Sequence, residues 1–271
     1  MTHHRRGRLL LAGLTAGLAA LAGAAAGPPA VAHETGKVML EQAGPDPYHS
    51  ELEKPPTVIG RQRIGTSVDG RPIMAYHLGN PDAARSAVVL GSMHGNEQAG
   101  MAVVDALRRG EPVTHVDLWV VPTINPDGVA ANDRQNAHAV DLNRNFGHDW
   151  APLSGEYYSG TGPFSEPESR AFRRFVDRVD PTFLVSFHQP LYGVGQAGER
   201  RPFIRRLSRG LDLPIRAFNC SGQCYGTMTS WFNATHAGTA VTVEFGRSPN
   251  RAYLRGKAAR GTLAAVLGRY W

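Results

Sequence analysis

The stretch 86-SAVVLGSMHGNEQAG-100 passes from an apolar run to two ionisable side chains within a few residues. The small and β-branched residues of "SAVVL" are typical of a buried strand, and the apolar spacing of "EQAGMAVVDALRRG" (97–110) predicts a helix directly after it. His94 and Glu97 fall at the junction between the two. Burying either side chain without a partner costs free energy, so we expect both to be paired with other polar groups or bound to a metal.

Two later strands carry the same combination. "PTFLVSFHQP" (181–190) ends an apolar run at His188, and "GTAVTVEFG" (238–246) places Glu244 inside one. A single case would most often be a core residue that has found a partner. Three cases in one chain indicate strand ends that converge, because the carboxyl ends of parallel strands form the binding edge of an open sheet.

The rest of the chain alternates between strand and helix patterns. "RQRIGTSVDGRPIMAYHLG" (61–79) predicts a hairpin that turns at Asp69-Gly70. "SEPESRAFRRFVDRV" (165–179) is predicted to begin as a helix with a capping box formed by Ser165 and Glu168. A further strand and two further helices are predicted over 116–125, 201–211 and 251–270. This order predicts a single α/β domain in which a mostly parallel, mixed and twisted β-sheet is flanked by helices on both faces.

The first residues predict export. Residues 1–32 contain a basic segment, an uncharged Gly- and Ala-rich apolar stretch and a small-residue site ending at Ala32, which together form a signal peptide. The alternative, a membrane anchor, is disfavoured because the cleavage site follows at once. We therefore expect a secreted protein, extracellular or associated with the cell wall, with no stable membrane insertion after signal removal. Residues 33–58 are predicted as an extended lead-in, and 59–271 as the folded domain.

Net charge gives little indication of a partner. The formal charge is +6, and loss of the signal, which carries three arginines and no acidic residue, lowers it to +3. The remaining basic residues are expected to be spread along the chain, which predicts no nucleic-acid binding. The mature length suits one domain, and we expect a monomer.

His94, Glu97 and His188 offer two imidazoles and one carboxylate. Three protein ligands with a fourth position left open are typical of a catalytic zinc site, so we expect one Zn²⁺ per chain. The HxxE spacing alone occurs often by chance, and the third ligand strengthens the prediction. Glu244 is the candidate general base, because burial in an apolar run would raise its pKa towards a useful range.

Several motifs in fixed order carry a family resemblance. HGNE (94–97), NPDG (125–128), DLNRNF (141–146) and GPFSEPE (162–168) precede the two strand-borne residues His188 and Glu244. In this order the chain resembles the zinc metallocarboxypeptidases of the carboxypeptidase A clan. Within the clan it is most similar to the bacterial murein peptide amidase and γ-D-glutamyl-diaminopimelate peptidase group.

The resemblance implies roles for individual residues. His94, Glu97 and His188 would hold zinc, and Glu244 would act as general base towards a zinc-activated water. Arg134 would stabilise the oxyanion that develops, and Asn143 with Arg144 would bind a free carboxylate of a peptide or muropeptide substrate. A guanidinium suits both tasks, because it pairs with a carboxylate through two hydrogen bonds and stays charged.

The sequence departs from the family pattern in one loop. Many members carry a mobile tyrosine upstream of the base, but an ungapped count back from Glu244 reaches Gly222, so Tyr225 is only the nearest candidate. Thr229 falls at the specificity position by the same count, and it supports no preference for basic or large aromatic residues. Because secreted chains rarely keep free thiols, we expect Cys220 and Cys224 to form a disulfide.

Two alternatives from other classes stay open. N-acyl amino acid deacylases of the aspartoacylase and succinylglutamate desuccinylase type share the HxxE and DLNR elements, although NPDG and GPFSEPE favour a peptidase. A non-catalytic wall-binding descendant is disfavoured because all three ligands and the base are present. The sequence leaves open whether the substrate is a murein peptide or a general peptide C-terminus, and whether cleavage is exo or endo.

Overall fold

The computed structural model describes residues 54–196 and 201–271, which are built around an eight-stranded sheet. In chain order its strands are β1 (Gly60–Thr66), β2 (Pro72–Gly79), β3 (Ser86–Leu90), β5 (Asp117–Val121), β6 (Phe183–His188), β7 (Gly193–Gly195), β8 (Ile215–Arg216) and β9 (Thr239–Glu244). Their spatial order is β1-β2-β5-β3-β6-β9-β7-β8. The short strands β4 (Val113–Thr114) and β10 (Arg269–Tyr270) pair separately.

The centre of the sheet is parallel and its edges are mixed. β5, β3, β6 and β9 run parallel, and they consist of apolar runs buried on both faces, as parallel sheets require. β1 and β2 form the predicted antiparallel hairpin, which turns at Gly70 with a φ of +82°. β7 pairs antiparallel with β9. The predicted fold class is confirmed.

Helices cover both faces of the sheet. They are α1 (Ala99–Arg109), α2 (Pro126–Ala131), α3 (Pro167–Val179), α4 (Arg201–Leu211), α5 (Met228–Thr235), α6 (Arg251–Tyr253) and α7 (Ala259–Ala265). One buried cluster gathers α1, α4 and α7 through residues such as Leu107, Leu207 and Leu263. The cluster on the other face gathers α3 and α5 through Phe172 and Phe232.

Two details of the predicted helices are wrong. Ser165 does not cap α3, because Pro167 occupies the first helical position and makes Glu166 the cap residue. Glu168 instead accepts hydrogen bonds from the backbone N of Val68 and from Asn136. The helix predicted over 251–270 is α6 and α7 joined by a π-helical turn, Leu254–Ala258. It ends at Ala265, after which the chain reverses and enters β10.

The signal peptide and the lead-in up to residue 53 lie outside the described residues, so these two boundaries stay predictions. The end of the lead-in is tied to the domain, since Lys54 pairs with Glu111 and Thr57 Oγ1 donates to the carbonyl of Gly110 at 2.7 Å. Within the described part of the chain, no helix combines the length and apolar character needed to cross a membrane.

Candidate active site

The predicted metal ligands meet at the carboxyl edge of the sheet. His188 is the last residue of β6, while His94 and Glu97 lie in the turn between β3 and α1. The Nδ1 atoms of His94 and His188 lie 2.9 and 3.0 Å from the two oxygens of Glu97, and all three side chains are buried. One ligand atom from each lies within 4.8 Å of the others. Two imidazole nitrogens and a carboxylate converging at this spacing fit a zinc ion.

The second nitrogen of each imidazole, Nε2, lies within hydrogen-bond distance of a side chain outside the triad. His94 Nε2 lies 2.9 Å from Asp141 Oδ1, and His188 Nε2 lies 3.0 Å from Ser186 Oγ. Such outer partners fix the ring orientation and raise the basicity of the ligating nitrogen. Asp141 and Ser186 therefore direct both Nδ1 atoms towards the metal position.

Asp141 is fully buried and joins the metal ligands to an arginine. Besides His94 it accepts from the backbone N of Asn143 at 2.9 Å, and from Arg134 Nε and Nη2 at 3.1 and 2.8 Å. Burial opposes its ionisation, but His94 and Arg134 outweigh burial and hold the pKa of Asp141 well below its usual range. Burial alone would lower the pKa of His94, yet the carboxylates of Glu97 and Asp141 raise it to about 9. The site is thus strongly suited to a cation.

Glu244 is positioned by the sheet itself. It is the last residue of β9, and in the parallel ladder it stands opposite His188. Its side chain is buried, and Oε2 accepts from the backbone N of Leu191 at 3.2 Å. Burial raises the pKa of Glu244 above the ordinary carboxyl value, against the opposing charge of His188. This is the environment in which a carboxylate can take up a proton near neutral pH.

The two predicted substrate arginines lie side by side. Arg134 Nη1 is 3.1 Å from Glu97 Oε1, and Arg144 Nη1 donates to the carbonyl of Asn143 at 2.8 Å. The buried Nε of Arg144 has no hydrogen-bond partner among the residues that the structure describes. Asn143 is itself held, because its Oδ1 accepts from the backbone N of Met228 at 3.0 Å. An unpartnered buried guanidinium nitrogen is costly, so it indicates a place for an anion.

The NPDG motif supports this site without entering it. Asn125 caps α2 through Gly128, and its Nδ2 donates to the carbonyl oxygens of Arg134 and Gln135 at 3.4 and 3.1 Å. A Cβ on Gly95 would lie 1.9 Å from the carbonyl carbon of Gly128. The HGNE turn can therefore rest on the NPDG turn only with glycine at 95, and the contact holds the loop that carries Arg134.

One cleft of about 370 Å³ is lined by the metal triad, Glu244, Arg134, Asn143 and Arg144. Thr229 lies in it as predicted by the count from Glu244, and it accepts a hydrogen bond from Thr242 at 3.3 Å. Cys220 and Cys224 form a disulfide at the cleft wall.

Tyr225 is the predicted site residue that the structure does not bring to the cleft. It is 45% exposed and lies in a neighbouring groove with Trp150. The next residue, Gly226, is fixed by hydrogen bonds to Asp149 and Phe146, which leaves Tyr225 on the outer side of the chain.

The cleft contains a different tyrosine, which sequence reasoning missed. The ring of Tyr157, in the 3-10 turn Gly155–Tyr157, lies 5.3 Å from the guanidinium of Arg134 and 5.1 Å from that of Arg144. Both distances are within cation–π range. Asp141 was also missed as a partner of the metal ligands, although its place at the head of DLNRNF was a usable signal.

Comparison with known proteins agrees with this geometry. The zinc carboxypeptidase family model matches residues 48–191. This chain belongs to the zinc carboxypeptidase family. The match includes the three ligand positions, Arg134, Asn143 and Arg144, whereas Glu244 lies beyond it. Zinc is thus the metal expected at the triad.

Murein peptide amidase A of Escherichia coli is 32% identical over 147 residues, which cover 49% of this chain and 60% of that protein. The alignment therefore spans less than two thirds of this relative. Murein peptide amidase A of Vibrio campbellii is 27% identical over 206 residues, covering 71% of this chain and 82% of that protein.

Solved structures show the same fold. The murein-tripeptide amidase of Escherichia coli has a TM-score of 0.65 at 26% identity and covers 81% of this chain and 96% of its own. Carboxypeptidase A of Helicoverpa armigera has a TM-score of 0.66 at 17% identity, covering 78% of this chain and 69% of its own, and shows likeness of fold alone.

Proposed function

We propose that the protein is an exported zinc-dependent peptidase that cleaves an amide bond whose leaving residue carries a free carboxylate, with short cell-wall peptides as substrates. The observation that carries the proposal is one cleft lined by a metal triad, by a buried carboxylate and by Arg144, whose buried Nε has no hydrogen-bond partner among the described residues. Each part supports one requirement of the reaction.

The first requirement is a proton acceptor beside the reacting carbonyl. Zinc bound by His94, Glu97 and His188 would supply Lewis acidity. Glu244, opposite His188 in the ladder, takes a proton from the attacking water and returns it to the leaving amine. Its raised pKa lets it do both.

The second requirement is stabilisation of charge that appears only in the transition state. Arg134 lies in the cleft beside Glu97 and is held in place by its bonds to Asp141. A preorganised cation of this kind costs no rearrangement when the carbonyl oxygen becomes negative.

The third requirement is recognition of the leaving residue. Arg144 and Asn143 both line the cleft, and a guanidinium beside an amide suits the two oxygens of a carboxylate. The cleft is also lined by the hydroxyl groups of Thr229, Ser230 and Thr242, beside apolar residues such as Val241. These hydroxyl groups supply hydrogen bonds for a polar side chain of the leaving residue.

Cell-wall peptides are the substrate class best supported by these features. The two sequence relatives named above are murein peptide amidases, and one of the two solved structures is described as a murein-tripeptide amidase. The last residue of a free tripeptide carries a free carboxylate. The predicted signal peptide would bring the protein to the wall.

The decisive test compares a free and an amidated leaving residue in the same peptide. Arg144→Ala should lower kcat/KM about tenfold to a hundredfold on the free carboxylate, since a charge-assisted hydrogen bond contributes about 1.5–3 kcal/mol. The amidated peptide should be affected much less. Equal losses on both, with unchanged zinc content and Tm, would show that Arg144 does not bind the carboxylate.

A second variant tests the base. Glu244→Gln is nearly isosteric and cannot accept the proton, so it should retain one zinc per chain and lose most turnover. Hydrolysis near the parent rate would exclude Glu244 as the base. Digestion of purified muropeptides, with products identified by mass spectrometry, then tests the substrate class.

A further inference from the structure

Basic residues are concentrated in the last quarter of the chain. Residues 201–271 contain 11 arginines and lysines against two acidic residues, whereas residues 54–196 contain 13 against 15. Basic residues form no continuous run, as expected from the sequence, but after residue 32 they outnumber acidic residues only in this last quarter. Of the two acidic residues, Glu244 lies in the cleft and Asp212 pairs with Lys257 at 2.7 Å. A charge imbalance of this size within one domain indicates an anionic partner.

The fold gathers part of this charge on one helix pair. Arg206 Nε, on α4, donates to the carbonyl of Ala265 at the end of α7 at 2.8 Å. At the other end Lys257, just before α7, reaches Asp212, just after α4. Between these contacts the helices touch at glycines, since a Cβ on Gly210 would lie 2.8 Å from Gly261. α4 and α7 therefore lie side by side and antiparallel.

The outer side of this pair carries unpaired cations. Both helices bury their apolar side chains in the same core cluster, so their exposed positions face outward together. Arg205 and Arg209 are exposed one turn apart on α4, and Arg260 is exposed on α7. None of the three forms an ion pair with any residue in 54–196 or 201–271 that the structure describes. We call these three residues the basic ridge.

We propose that the basic ridge binds a linear cell-wall polymer bearing repeated phosphate groups, and so retains the protein on its insoluble substrate. The proposal rests on the proposed function for the location at the wall. The ridge is the outer side of two helices rather than a cavity, which suits an extended chain better than a small anion. Guanidinium groups pair with phosphate through two hydrogen bonds.

The position of the ridge is compatible with catalysis. α4 and α7 cover one face of the sheet, whereas the cleft lies at the carboxyl ends of its strands. A polymer on the ridge would leave the cleft open to a peptide from the same wall. Binding at the ridge and hydrolysis in the cleft can therefore be measured separately.

The test is co-sedimentation with purified walls that carry a phosphodiester polymer, and with the same walls after acid extraction of that polymer. The ridge variant is Arg205→Gln, Arg209→Gln and Arg260→Gln combined. The control removes the same charge from exposed arginines elsewhere: Arg61→Gln, Arg85→Gln and Arg174→Gln. One basic residue near an anionic surface changes affinity about fivefold, so the ridge variant should bind at least about tenfold more weakly. The control should bind like the parent.

Three further results are expected. Binding of the parent protein to walls should fall as salt rises, and the parent should not bind extracted walls. The single variant Arg209→Gln should bind untreated walls more weakly than the parent. Parent-like binding by the ridge variant, or undiminished binding to extracted walls, would overturn the proposal. So would stronger binding of the parent to duplex DNA or to anionic lipid vesicles than to walls. All variants should hydrolyse a soluble muropeptide at the parent rate. If the parent itself fails on that peptide, the proposed function fails and the binding result still stands.

Discussion

Replacing Asp141 tests whether the outer carboxylate, rather than the triad alone, sets zinc affinity. Asp141→Asn keeps the size of the side chain and removes its charge. It thereby weakens the 2.9 Å contact with His94 and the contacts at 2.8 and 3.1 Å with Arg134. Losing an outer carboxylate partner of a metal-bound imidazole costs about tenfold to a hundredfold in metal affinity. That loss corresponds to about 1.4–2.7 kcal/mol.

Asp141→Asn should also lower the free energy of unfolding, because Arg134 Nε and Nη2 both donate to the carboxylate that the variant lacks. Breaking a buried ion pair from one side typically costs about 3–5 kcal/mol, and the remaining contact of Arg134 with Glu97 should keep the loss near the lower figure. The assay is a zinc titration against a chelating indicator, together with urea unfolding of the zinc-loaded protein.

The chain offers a matched control. Asp117 pairs with His77 Nε2 at 2.5 Å, away from the cleft-lining residues. Asp117→Asn therefore removes a carboxylate from an imidazole without touching the site, and zinc affinity should not change. If Asp141→Asn bound zinc within about twofold of the parent, the orienting role given to the outer carboxylate would be wrong.

Three further predictions concern the cleft and the loops that support it. Burial raises the pKa of Glu244, and the proposed base must be ionised to act. As the medium is acidified, kcat/KM should therefore begin to fall at a pH higher than the pKa of an ordinary carboxyl group. A pH–rate profile of the parent checks this, and an acid limb below pH about 4 would contradict it. Tyr157→Ala should raise KM for the free-carboxylate peptide about threefold to tenfold, while Tyr157→Phe, which keeps the ring, should not. Asp127→Ala should lower the free energy of unfolding by about 2–4 kcal/mol in urea, because its buried carboxylate binds Ser67, the backbone of Asp69 and Arg71; stability unchanged at neutral pH would refute it. Those bonds hold the pKa of Asp127 low despite burial. Its contribution to the free energy of unfolding should therefore be fully present at a pH above the pKa of Asp127 in the unfolded chain, and should be lost as the pH falls below that value.

The sequence was informative where a regular pattern was interrupted. His188 and Glu244 stand out because a polar residue ends an apolar strand, and His94 with Glu97 because they separate a strand from a helix. Strand ends in a parallel sheet share one edge, so the convergence of these four residues could be predicted without knowing any contact.

Tyr157 and Asp141 could not be found in this way. Residues 132–166 contain only short helical turns, so no periodicity shows which side chains face inward. Their positions depend on long-range hydrogen bonds, such as the one that Asn145 Nδ2 donates to the carbonyl of Ser159 and the one that Asn145 Oδ1 accepts from the backbone N of Glu166. The Ser165 capping box failed for a local reason, because Pro167 already defined the start of α3.

The pairing of His188 with Glu244 has a consequence for how this protein could be redesigned. The two residues are ladder partners, so the gap between the ligand and the proposed base is set by the spacing of adjacent strands, about 4.8 Å, and by no loop. Moving β9 by one residue would turn Glu244 to the opposite face of the sheet. The walls of the cleft, by contrast, come largely from loops after the strands, including the disulfide-closed turn. Loops could therefore be exchanged to accept new substrates while the distance between reacting groups stays constant, whereas a single insertion in either strand would abolish catalysis.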